Sequence, residues 1–288
     1  MHANRNFKNN VFTMLFSEPD LLRELYCALE GVSLPPDSPV SINTLKNVLF
    51  MDVNNDISFE IDGKLVVLIE HQSSINPNMA LRLFQYIAEV YKGMIDRKTI
   101  YSKKQVTIPW PEFFILYNGK DPLDDKITYR LSDLFEKPHE LGIPEKAKPL
   151  LELEVQVINI NEGRNKEIVS RCKKLSEYST FIAKIRSFLI ETQDLPEAIS
   201  LAIKDCSEYG ILREFLEIHG REVLNMLCAE WNWDDALAVA REEGHEDGWN
   251  EACKHEKTEI ARNLLSEGST PEFVQKTTGL SLEEIAKL

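Results

Sequence analysis

The chain has 288 residues and carries 33 Lys and Arg against 47 Asp and Glu, a formal charge of −14. That length supports one substantial core with an appendage, whereas the acid surplus opposes unspecific attraction to nucleic acid, which relies on phosphate neutralisation and counterion release. No stretch is apolar for long enough to span a bilayer, Met1 to Asn10 holds no signal-peptide core, and Cys27, Cys172, Cys206, Cys228 and Cys253 form no C-x-x-C pair; the sequence predicts a cytosolic protein with reduced, buried thiols rather than disulfides or zinc.

Phe12, Leu15, Phe16, Leu22, Leu25, Tyr26 and Leu29 recur with helical spacing. Ser17-Glu18-Pro19-Asp20 divides the run into two helices, because proline cannot continue the first. Val32 to Pro39 reads as a loop and Asn43 to Met51 as a first strand. Asn55 to Ile61 alternates, with Ile57, Phe59 and Ile61 on one face and Asp56, Ser58 and Glu60 on the other. Asp62-Gly63 is a hairpin signal. Leu65 to Ile69 is continuously apolar, as a strand covered on both faces should be, and runs into Glu70-His71-Gln72.

Asp56 and Glu70 on neighbouring strands, with Glu-x-Gln closing the second, form the most informative pairing in the chain. An acid followed by such a motif is how a metal-dependent nuclease core places its chemistry, which points to phosphodiester cleavage. Register decides whether the two acids can meet, because a one-residue slip turns every side chain to the opposite face. A two-residue loop at Asp62-Gly63 sets Asp56 opposite Ile69 and turns Glu70 away. A three-residue loop at Ile61-Asp62-Gly63, with Gly63 left-handed, pairs Glu60 with Lys64 and puts Asp56, Glu70 and Gln72 on one face.

On that face the carboxylates of Asp56 and Glu70, with the backbone carbonyl of His71, offer hard oxygen ligands suited to Mg²⁺ or Mn²⁺. Such an ion polarises a phosphoryl oxygen and acidifies a bound water, while Gln72 would orient the water or the phosphate. Gln72 cannot supply the positive charge of a lysine. Spacing alone leaves a plain alternative open, since acids at strand ends are usually solvated. The His71 ring, by parity, faces away and reads as a packing or hydrogen-bonding group.

Asn76-Pro77-Asn78 opens a helix over Met79 to Met94, with Leu81, Phe84, Ile87, Ala88 and Tyr91 as its expected inward stripe. Arg82, Gln85 and Tyr86 lie a turn or more into it, near enough to the Glu-x-Gln strand to support it or touch substrate; packing is the equal alternative for Tyr86. Positive charge then gathers at Lys92, Arg97, Lys98, Lys103 and Lys104. Of these, Lys98, Lys103 and Lys104 are candidate contacts to a DNA backbone or simply a solvated face. Glu112 to Tyr117 is a strand ended by Asn118-Gly119, and Leu151 to Ile160 another. From Asn165 the pattern turns helical, over Lys166 to Ile190, Leu195 to Glu208 and Ile211 to Cys228. The expected class is α/β, a mixed central sheet flanked by helices, followed by an all-helical extension.

Asn55 to Phe59, the run Leu68 to Ser74, Asn76-Pro77-Asn78-Met79, Leu81-Arg82 and Tyr86 resemble the Rpn family of recombination-promoting nucleases and transposase-like proteins, in the PD-(D/E)XK superfamily. Phe113 to Gly119, Ile158-Asn159-Ile160-Asn161, Ala261 to Leu265 and Thr278-Gly279-Leu280-Ser281 extend the resemblance over nearly the whole chain. It implies a restriction-endonuclease-like core and a divalent-metal DNA endonuclease tied to recombination or DNA mobility, with motif positions at Asp56, Glu70 and Gln72. One position departs. Relatives often carry Lys-Asp-x-x-Phe where this chain has Lys8-Asn9-Asn10-Val11-Phe12, so Asn9 removes a charge that a metal would use, and Glu24 is a candidate substitute.

Trp233 to Lys257 is rich in Glu, Ala, Gly and His, and Glu243-Gly244 and Asp247-Gly248 resemble the E-E-G-x repeats of these relatives, as a helical arm or a solvated linker. Beyond it come Thr258 to Ser266, a helix opened by Thr270-Pro271 and a capping box at Ser281 to Glu284. Three short helices resemble a helix-turn-helix, although Glu283 and Glu284 against Lys287 suit protein contact better than a DNA groove. The expected division is a nuclease-like domain at 1–190, a helical extension at 191–230, an arm at 231–257 and the three-helix segment at 258–288. Two functions stay open: an endonuclease on double-stranded DNA, for which a homodimer would suit cutting both strands, and a weak or inactive relative kept for DNA or protein binding. No Ser or Cys nucleophile constellation, phosphate-cradling glycine loop or zinc spacing competes.

Overall fold

The computed structural model describes residues 10–42, 57–136 and 149–229, with single helical positions at 231, 262 and 265. The chain forms two compact units, Met1–Glu230 and Trp231–Leu288.

Helix α1 (Val11–Leu15) starts where Asn10 accepts from the Thr13 backbone N–H at 2.7 Å. Helix α2 (Pro19–Glu30) has Pro19 in its first turn and ends on Gly31 at φ +70°, a left-handed stop that glycine adopts without strain. A six-stranded sheet follows, in the order β1 (Val40–Ile42), β2 (Ile57–Ile61), β3 (Leu65–Gln72), β4 (Trp110–Tyr117), β6 (Glu154–Asn159) and β5 (Lys126–Arg130). Strands β3, β4 and β6 are parallel and the outer pairings antiparallel. The mixed sheet and its flanking helices are the expected α/β core.

Several boundaries differ from expectation. The first strand lies at Val40–Ile42; the expected span Asn43 to Met51 falls outside the described residues. The β2–β3 loop is Asp62-Gly63-Lys64, so Glu60 pairs with Val66 rather than Lys64. Asp62 and Gly63 both have positive φ, 51° and 63°, as a primed turn demands, and Lys64 N–H donates to the Ile61 carbonyl at 3.1 Å. Centring the turn there keeps Ile61 in the strand, where it is buried. The loop is still odd-numbered, so Ser58 and Glu60 share a face with Val66, Leu68, Glu70 and Gln72.

Helix α3 (Met79–Met94) crosses from β3 to β4 over that face. Its buried positions are Met79, Ala80, Leu83, Tyr86, Ile87 and Val90, whereas Leu81 is 44 % exposed and Ala88 also faces solvent. The inward stripe is therefore rotated from the expected one. Both stripes carry apolar residues, and the sheet surface of Val66, Leu68, Phe113, Ile115 and Val157 selects between them. A short α4 (Arg97–Ile100) follows. Edge strand β5 adds to the expected strands: its alternation of exposed polar with half-buried residues is lost among flanking Asp and Lys. The expected single helix from Lys166 is two, α5 (Lys166–Val169) and α6 (Lys173–Thr192), broken at the extended, buried Cys172. Then come α7 (Leu195–Glu208) and a helix over 213–229. No helix among the described residues is long and apolar enough to cross a membrane.

Candidate active site

The C-terminal end of β3 brings two polar residues onto an apolar face. Glu70 and Gln72 pair in register with Ile115 and Tyr117 of β4, beneath the first turns of α3. Glu70 is only 4 % exposed. A carboxylate withdrawn from water costs several kcal/mol unless a partner compensates, on the order of the penalty for any buried ion. The Arg82 guanidinium supplies one, with Nη2 lying 3.9 Å from Glu70 Oε2. Arg82 Nη2 also donates to the Tyr86 hydroxyl at 3.1 Å, and its guanidinium carbon lies 5.9 Å from the Tyr86 ring centre. The Met79 thioether accepts from Gln72 Nε2 at 2.9 Å and from Arg82 Nη1 at 3.2 Å. Met79, Arg82 and Tyr86 are three and four residues apart, the spacing at which helical side chains are neighbours.

His71 turns to the other face, beneath α1 and α6. Its ring stacks on Phe12 at 4.9 Å between centroids, and Nε2 lies 3.1 Å from the Tyr178 hydroxyl. Burial, reinforced by the positive charge of Arg186, pushes its pKa down to about 3. The imidazole is thus a neutral packing group. Its main chain has another orientation: the Gln72 carbonyl accepts from the N–H of Asn118, just past β4, at 3.0 Å, and carbonyls alternate sides along a strand, so that of His71 points toward β2.

The Y-N-G and I-N-I-N motifs meet at this end of the sheet. Arg186 on α6 donates to the Asn118 carbonyl and, at 2.6 Å, to Asn161 Oδ1. Asn161 donates to the Gly119 carbonyl and to Asn159 Oδ1. A Cβ on Gly119 would strike the Ser73 carbonyl oxygen, so the turn closes only on glycine. Arg186 belongs to none of the sequence motifs, although an arginine beside the apolar run Phe181, Ile182 and Ile185 is itself the signal of a buried polar role.

Other expected residues separate. Asp56 and Asn9 lie outside the described residues. Glu24 is not brought to Glu70: it sits on α2, on the His71 side of the sheet, where Oε1 accepts from Lys173 N–H at 3.0 Å and caps α6. Lys98, Lys103 and Lys104 are exposed, but they follow the far end of α3, whose length of about 24 Å separates them from Gln72. Gln85 is exposed as well. Among the described residues no three His, Cys, Asp or Glu gather as a metal cluster. What the site offers is hard oxygen, the Glu70 carboxylate and the His71 carbonyl, and that donor chemistry fits a hydrated hard divalent cation joined by a second carboxylate.

A mixed sheet with a buried carboxylate at the end of a central strand, covered by a crossover helix and followed by further helices, is an α/β nuclease-like core with a helical extension. Residues 12–203 match the model of the family described as "Putative transposase, YhgA-like", and residues 254–288 match the "Rpn/YhgA-like nuclease family, C-terminal HTH domain". The chain belongs to the Rpn/YhgA-like nuclease family. It is similar to the "Inactive recombination-promoting nuclease-like protein RpnE" of Escherichia coli (strain K12), at 25 % identity over 291 residues, covering 93 % of this chain and 88 % of the relative. No solved structure matches it.

Proposed function

We propose that the chain is a metal-dependent endonuclease that hydrolyses phosphodiester bonds of double-stranded DNA in recombination or transposon-like mobility. The observation that carries this is Glu70, a carboxylate buried on a core-facing strand position with a guanidinium 3.9 Å away. Structural acids are rarely placed so, and functional ones are. Asp56, Glu70 and the His71 carbonyl would hold Mg²⁺ or Mn²⁺, which when bound supplies Lewis acidity and an acidified water. Gln72, tethered to Met79, orients the water or the phosphate. Such an enzyme requires Asp56 to share the face of Glu70, and the odd β2–β3 loop, with Ile57 opposite Ile69, supports that requirement.

A second reading is a catalytically weak member that binds DNA or protein. The name of the E. coli relative, Asn9 and the acid surplus of the chain favour it. Nicking of supercoiled plasmid with Mg²⁺ or Mn²⁺ separates the two. The endonuclease loses activity as Asp56→Ala or Glu70→Ala and gains with Asn9→Asp; equal cutting by all variants would place the chemistry elsewhere, and none by any would leave the binding protein. Removing residues 254–288 tests the helix-turn-helix segment. Weaker duplex affinity assigns it to DNA, and unchanged affinity with altered assembly, including a homodimer, assigns it to protein contact.

A further inference from the structure

Resting on the endonuclease reading, we infer that Arg82 is the cation that receives the scissile phosphate, the charge that Gln72 cannot provide. A phosphodiester approaching Glu70 brings one negative charge toward a buried carboxylate, and without a nearby positive group the two repel. The basic residues that the sequence offers for DNA do not meet this need, because Lys98, Lys103 and Lys104 follow the opposite end of α3. Arg186 lies on the other face, donating to Asn118 and Asn161. Among the described residues, Arg82 is the cation that the structure holds beside Glu70.

Its setting suits the task. The guanidinium is oriented from two sides by neutral acceptors, the Met79 thioether at 3.2 Å and the Tyr86 hydroxyl at 3.1 Å. Its separation from Glu70, 3.9 Å, exceeds the roughly 2.7–2.9 Å of a charge-assisted hydrogen bond. The Arg82 side chain is 36 % exposed while that of Glu70 is 5 % exposed, so an incoming anion reaches the guanidinium before it reaches the acid. Gln72 Nε2 and Arg82 Nη1 are tethered to the same sulfur atom, which sets an amide and a guanidinium side by side as donors to one phosphate group. Tyr86, one turn on, is the positioning residue for Arg82.

Fluorescence anisotropy of a labelled duplex, measured in EDTA across a salt series with the full chain, reads this charge without any metal. Arg82→Met and Arg82→Gln should each weaken binding by about tenfold and lower the salt slope by about 0.9, the share of one phosphate contact. Arg82→Lys should restore the slope and most of the affinity, and Tyr86→Phe should weaken binding while leaving the slope unchanged. Melting curves of the two neutral variants guard against misfolding, and agreement between them is required. Native affinity and slope in both neutral variants, with the native chain still nicking plasmid, would overturn the role of Arg82 and leave the endonuclease standing. A native chain that neither binds nor nicks would remove the endonuclease reading and this inference with it.

Discussion

Glu70 and His71 are consecutive residues of one central strand, 4 % and 8 % exposed, and the two faces of the sheet treat them in opposite ways. On the α3 face the carboxylate lies beside a guanidinium that donates to a thioether and a phenol, with Arg82 reaching out to solvent. On the α1/α6 face the imidazole is stripped of water, stacked on Phe12, set edge-on to Tyr178 and kept neutral. One face sets a buried acid beside a cation, and the other holds its imidazole neutral. Burial of a polar group therefore does not by itself mark function; what is buried with it does.

The contrast should break most sharply at Glu70. Glu70→Gln is expected to reduce plasmid nicking by roughly 1,000-fold, about 4 kcal/mol in the barrier, since it removes the charge of the proposed metal ligand. Urea unfolding should show far less change, because replacing a buried ion by a neutral isostere also removes its desolvation cost. A large stability loss with nicking intact would invert the assignment of the two faces.

On the other face the expected pattern is reversed. Phe12→Ala takes away the ring that stacks on His71 and should cost about 3–5 kcal/mol of folding stability, read by denaturant titration, while the folded fraction still nicks. His71 adds a pH signature. Folded, it stays neutral down to about pH 3; unfolded, it takes up a proton near pH 6.5. The unfolded state binds more protons between those values, so stability is complete above pH 6.5 and falls as pH drops through the window, by up to about 1.4 kcal/mol per pH unit. His71→Phe should flatten that slope in urea titrations at pH 5 and 7; an unchanged slope would place the titrating group elsewhere. Smallest of all, Lys103→Ala with Lys104→Ala should alter duplex affinity by less than about twofold, as exposed substitutions at the far end of α3. A larger loss would move the DNA path to that end.

Much of the core was legible locally. Alternation in Ile57 to Ile61, the Asp62-Gly63 turn, proline at the start of α2 and the Pro-Asn entry to α3 are short-range signals, and the elements stand where those signals put them. Less was legible where two answers used the same residues. Helix α3 carries apolar side chains on more than one stripe, and Leu81 reads as core until the sheet surface is known. Strand β5 is too polar to announce itself. Lys98 to Lys104 follow the site closely in sequence, yet a helix carries them to the opposite pole.

Sequence alone determined the chemistry available: a Glu-x-Gln motif after an apolar strand, an arginine and a tyrosine four residues apart, and a family resemblance spanning the chain. Those are properties of residue type and local spacing, which backbone periodicity transmits without knowledge of the rest. Only the tertiary structure decided the company each group keeps. It set Arg82 rather than a lysine beside Glu70, sent Glu24 to cap α6, and sealed His71 against Phe12 and Tyr178. The reason is physical: charge, exposure and proton affinity depend on neighbours distant in the chain, and helix α3 and the parallel pairing of β3 with β4 bring those neighbours together.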